Sequence, residues 1–259
     1  MVSCRMSAAL AAALLLSLPA VATAETLIQK LLRIAGLTAA PAQMRGPADE
    51  IEPGNIWMAS ADSGASKALT TDGGYTSPIF SPDGRVYALK GGSLVRLPQE
   101  TGAGVAMHKV PAAVKLVGFD GTNADDLVVL LDAPHAGSPL GVLSLKSGRV
   151  TALPYDATSE EQRRMLAQIR GQERKYGTTV VYTKTERRRG PSRSLHWSDV
   201  YIRRGTAAPL NISKSDGVSC VQPALSPDGR SVAFIKVDGR VSMRAYAQSN
   251  VDQSDINGL

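Results

Sequence analysis

The side chains of this chain that could do chemistry are few and scattered. Three histidines, His108, His135 and His196, stand far apart and lack the spacing with which a metal ion is gripped. Residues 120–126 (Asp-Gly-Thr-Asn-Ala-Asp-Asp) are rich in carboxylates, but their offsets do not match a calcium loop, and they read as an Asx-rich turn. No Gly-x-Ser-x-Gly nucleophile elbow occurs. Cys220, close to Val218 and Val221, reads as a small buried hydrophobe rather than a reactive thiol. No catalytic residue, metal ligand or cofactor site is therefore assigned, and a non-enzymatic role is expected. What stands out instead is charge. Residues 160–204 hold twelve basic side chains against five acidic ones, whereas the whole chain carries only +6. Within that stretch Lys184, Arg187, Arg188, Arg189 and Arg193 read as the tip of a hairpin between a strand ending at Thr183 and one starting at Leu195. Such a cluster suits an anionic partner: an acidic protein face or an anionic component of a cell envelope.

The elements that must position this cluster are announced by a repeat. Ser81-Pro82-Asp83-Gly84-Arg85 recurs residue for residue as Ser226-Pro227-Asp228-Gly229-Arg230, and apolar residues flank both copies. Proline presets φ ahead of an Asp-Gly pair, and the glycine takes the positive φ that closes a turn, so each copy predicts strand, tight turn, strand. Asp83, Gly84, Asp228 and Gly229 are thus read as structural, as are Asp120 and Gly121, which occupy a similar place one step along the chain. Strands are expected through most of residues 55–247, with a charged helical pattern at 160–170 interrupting them. Recurring hairpins cannot each bury an apolar face alone, so like units should stack.

The two ends read differently. Residues 1–24 have the form of a signal peptide: Arg5, a short apolar core, Pro19, and Ala22-Thr23-Ala24 before Glu25. The expectation is an exported protein, periplasmic or secreted, cleaved near Ala24 and not spanning a membrane. Residues 25–54 read as a leader helix at 26–37 and a linker rich in proline, and 248–259 as a polar tail. Nucleic acid is not an expected partner, since export removes the chain from it and only 12 aromatic residues are available as stacking platforms.

Further likeness sits in the residues before the repeat. Asn55-Ile56-Trp57-Met58-Ala59, the Asp62-Ser63-Gly64 turn, Lys67-Ala68-Leu69-Thr70 and the first Ser-Pro-Asp-Gly together resemble the repeat of TolB-type β-propellers. A second match runs through Val200-Tyr201-Ile202 and Pro209-Leu210 to the second Ser-Pro-Asp-Gly. The resemblance implies an all-β fold, a β-propeller of about four to five four-stranded blades, which the short N-terminal helix read at 26–37 would precede. It further implies a periplasmic protein-binding scaffold; the alternative is a propeller whose central channel holds an enzyme site or a small ligand such as a sugar or peptide.

Overall fold

A computed structural model of the chain describes residues 53–120, 123–170, 174–189, 194–215 and 217–237. The signal peptide, leader helix and polar tail expected from the sequence lie outside the described residues, as do Gly121 and Arg193. Sixteen strands and one helix follow in order: β1 (Gly54–Ser60), β2 (Ser66–Ala68), β3 (Tyr75–Phe80), β4 (Val86–Lys90), β5 (Ser93–Arg96), β6 (Val105–Lys109), β7 (Ala113–Asp120), β8 (Asn123–His135), β9 (Ser138–Ser144), β10 (Val150–Ala152), α1 (Glu160–Arg170), β11 (Arg174–Tyr176), β12 (Thr179–Arg189), β13 (Ser194–Arg204), β14 (Leu210–Asn211), β15 (Cys220–Leu225) and β16 (Ser231–Val237).

The two repeated turns share their inner bond, Gly84 N–H donating to the Ser81 carbonyl and Gly229 N–H to the Ser226 carbonyl, each at 2.9 Å. The outer bond differs by one residue: Ser81 N–H donates to the Arg85 carbonyl, Ser226 N–H to the Ser231 carbonyl, each at 2.8 Å. Gly84 and Gly229 sit at φ of 80° and 71°, the left-handed region that a side chain would strain. In each turn the serine hydroxyl donates to the aspartate two residues on. That bond, before other contacts, holds the Asp83 and Asp228 carboxyls below their ordinary pKa.

The duplication extends upstream of the visible motif. Ser77 and Gln222, each four residues before the motif serine, adopt positive φ of 52° and 54°. Each precedes a proline inside a strand, and each lies at a register shift, one between β3 and β4, the other between β15 and β16. Proline cannot donate to the ladder, so a bulge is where a strand accommodates it. The two bulges also meet, Ser77 N–H donating to the Gln222 side-chain oxygen at 2.5 Å.

The strands assemble into three antiparallel sheets, and this corrects the expected architecture. One sheet has eight strands in the order β15-β16-β1-β3-β4-β5-β6 with β2 on β1; the others are β10-β9-β8-β7 and β11-β12-β13-β14. Among the described residues no sheet is closed or propeller-like, so the all-β class stands while a propeller of four to five blades does not. The cause is strand neighbourhood. β1 pairs with β16 over seven residues and touches β3 through Gly54 and Tyr75, which merges the hairpins of both repeated turns into one sheet. A repeat in sequence specifies each hairpin but not the strand beside it.

Burial follows the strand period. Within the eight-stranded sheet, Ile56, Tyr75, Ala88, Val95, Ala233 and Ile235 form one core cluster. Leu94, Leu116, Phe119, Leu127, Val129 and Leu143 join that sheet to β7–β9. Helix α1 buries Met165, Leu166 and Ile169 on the opposite side of β7–β9, against Val117, Val128, Leu130 and Leu140. Its start is fixed by Ser159, whose hydroxyl accepts from Gln162 N–H at 3.4 Å, while the Gln162 side chain reaches back to Asp156 N–H at 2.7 Å. A fourth cluster, with Val181, Val200, Ile202, Cys220 and Phe234, seats the β11–β14 sheet on β15 and β16.

Candidate functional site

The basic cluster belongs to the longest regular pairing in the fold. β12 and β13 run antiparallel through eleven residue pairs, from Thr179–Arg204 to Arg189–Ser194. The sequence reading ended the first strand at Thr183 and treated 184–193 as loop; pairing continues to Arg189, so Lys184, Arg187, Arg188 and Arg189 lie on a strand. Tyr182, Thr183 and Thr185 favour the extended chain, which outweighs the poorer strand preference of the charges that follow. Arg193 falls outside the described residues.

Cross-strand contacts stiffen the hairpin. Tyr182 and Tyr201 are register partners whose rings stack 5.9 Å apart. Tyr201 donates its hydroxyl to Glu186 at 2.5 Å, and Lys184 reaches Glu186 at 3.1 Å while lying 5.2 Å from the Tyr201 ring centre. Burial, and then the neighbouring Glu186 carboxylate, push the Tyr201 hydroxyl up to about 12. The Tyr201 hydroxyl, followed by Lys184, holds Glu186 below its ordinary value. The one carboxylate of this segment is therefore engaged with its own hairpin.

Asp199, buried at 2% exposure, anchors β13. One carboxylate oxygen accepts from Ser213 Oγ at 2.7 Å and from Ser215 N and Oγ at 3.0 and 2.5 Å. The other accepts from Asn211 Nδ2 at 2.9 Å and Trp197 Nε1 at 3.3 Å. Burial pushes this carboxyl up, but the Ser215, Ser213 and Asn211 donors together outweigh it and hold the group below its ordinary value. These contacts draw residues 211–215 along β13, where Ser213 Oγ also accepts from Val200 N–H at 2.9 Å. Ser219 Oγ does the same for Ser198 N–H at 3.2 Å. The sequence reading missed this anchor, because its partners are short polar residues that look like any loop.

The repeated turns come together elsewhere. Pro82, Asp83, Gly84 and Arg85 face Ser226, Pro227 and Asp228 across a cleft of about 500 Å3, floored by Met58, Leu69, Phe80 and Leu97. Asp120 pairs with Asn123 at the β7–β8 turn, apart from that cleft. A much smaller cavity, about 20 Å3, forms where the three sheets meet, between Ser77, Lys115, Arg174, Tyr176 and Gln222. Among the described residues, no group of three or more His, Cys, Asp or Glu side chains could hold a metal ion. His108 contacts the Leu145 carbonyl at 2.6 Å, and His196 is exposed on β13. Burial pushes the Cys220 thiol up to about 11, which leaves it protonated and unreactive at neutral pH.

Compared with known proteins, the chain finds no match among protein-family models or among curated proteins. Among the described residues no helix is long and apolar enough to cross a membrane.

Proposed function

We propose that this chain is an exported, non-enzymatic protein-binding scaffold, built from hairpin units that resemble the TolB-type repeat. It engages an acidic protein surface of the bacterial periplasm or cell envelope through the basic β12–β13 hairpin. The observation that carries the reading is the union of charge and rigidity: Lys184, Arg187, Arg188 and Arg189 stand on an eleven-pair hairpin rather than on a loose loop. A rigid display loses less entropy on binding than a flexible one.

Replacing Arg187, Arg188, Arg189 and Arg193 together by glutamine tests it. Capture of envelope partners, cross-linked and identified by mass spectrometry, falls, with the larger difference at low salt, where charges are least screened. Unchanged capture would reduce the cluster to solvated surface.

A second reading, a small-ligand site, has one observation in its favour: the 500 Å3 cleft between the repeated turns is of ligand size. The cavity where the sheets meet, at about 20 Å3, has room for little more than a water. A bound sugar or short peptide that shifts the amide resonances of Gly84 and Gly229, with those of β12 unmoved, would favour this second reading.

A further inference from the structure

The two edges of the β12–β13 hairpin are treated differently. On β13, Val200 donates its N–H to Ser213 Oγ at 2.9 Å and accepts from Ile212 N–H at 2.9 Å, so both groups point away from β12. Bonding direction alternates along an antiparallel pair. Asp199 and Trp197 therefore exchange bonds with their register partners Lys184 and Glu186 inside the hairpin. It follows that Thr185, Arg187 and Arg189 present their backbone N–H and C=O groups to the outer edge of β12.

That edge is open. β11 runs beside β12 only from Thr179 to Val181, and among the described residues no strand pairs with the outer side of residues 185–189. Thr185 is exposed. The β13 edge is covered over residues 198–202, by β14 and by the hydroxyls of Ser213 and Ser219. An unpaired edge is a template for another strand, and proteins leave one open at some risk of aggregation. Four cations lie within residues 184–189, and the single acid among them, Glu186, is held by Tyr201 and Lys184.

We propose that the outer edge of β12 over residues 185–189 is a docking edge for an extended acidic segment of the partner, which adds to the sheet as a further strand. This rests on the partner-binding reading above and names its mode. Main-chain bonds to Thr185, Arg187 and Arg189 supply registration, and acidic side chains of the incoming strand meet the flanking cations. A second copy of the chain is disfavoured at this edge, since it would bring like charges together.

The test uses the full chain and an eight-residue peptide of alternating glutamate and valine, with two derivatives N-methylated on odd or on even residues. The parent peptide slows hydrogen exchange of the Thr185 and Arg187 amides about tenfold at saturation. One N-methylated derivative loses at least tenfold in affinity and the other keeps it, because an added strand uses the amides of one parity. Equal binding by all three peptides, abolished by salt, would overturn strand addition and leave the basic hairpin as an electrostatic site. Absence of peptide binding overturns it too, as does self-association of the chain with protection at the same amides. Unaltered partner capture by the four-arginine variant removes the underlying reading itself.

Discussion

Asp199 keeps its charge in a buried position because five donors converge on it. Its pKa is lower folded than unfolded, so the stability it supplies is present above the unfolded value near 3.8 and is lost as pH falls through the folded value. Asp199→Asn, which removes the charge and turns an amide N–H2 toward other donors, should destabilise by about 2 kcal/mol. Urea unfolding at pH 7 reads this, and the difference from wild type should vanish at low pH. Tyr201 works in the opposite direction. With a hydroxyl raised to about 12, it supports the fold below pH 10 and ceases to as pH climbs through 12. Glu186→Gln should bring its titration, followed by absorbance, back toward the ordinary tyrosine range. Neither residue was singled out in the sequence. Asp199 draws on Asn211, Ser213 and Ser215, too far along the chain for local pattern to join them, whereas the roles of Gly84 and Gly229 could be read from a Pro-Asp-Gly run alone.

Turns carry their chemistry locally and strands do not, which decides what could be read at the level of elements. The repeated turns, the 160–170 helix and most strands are written in proline, glycine and apolar alternation. The length of β12 is not, because its last residues are held by pairing with β13 rather than by their own preference. The two turns offer a matched experiment. A Cβ at Gly84 or Gly229 meets nothing within 4 Å, so alanine there suffers only from its positive φ. Each substitution should destabilise by about 1–2 kcal/mol, and by similar amounts in both copies. Differential scanning calorimetry on the two single variants checks the equality. Helix α1 invites a larger effect: Ile169, fully buried against the β7–β9 sheet, should lose about 2–5 kcal/mol on truncation to alanine.

Across the whole molecule, strand neighbourhood was the property hidden from the sequence. A motif shared by two hairpins gives no sign that β1 lies between them and joins their sheets. That junction is tight. A Cβ on Gly54 would stand 2.2 Å from the Lys236 carbonyl oxygen, so Gly54→Ala should destabilise by about 3 kcal/mol in a denaturant titration. The pairing of Gly54–Ser60 with Ser231–Val237 also has a consequence in time. During synthesis the first strand emerges long before its partner, and contacts between such distant segments form slowly. A nascent chain halted before Ser231 has β1 without its longest partner and no finished eight-stranded sheet, and should be digested by protease at ribosome-bound lengths where β7–β9 is already complete. Among the described strands, the last to be made is thus the one that commits the first, so the largest sheet stays unfinished until the second Ser-Pro-Asp-Gly turn has been synthesised.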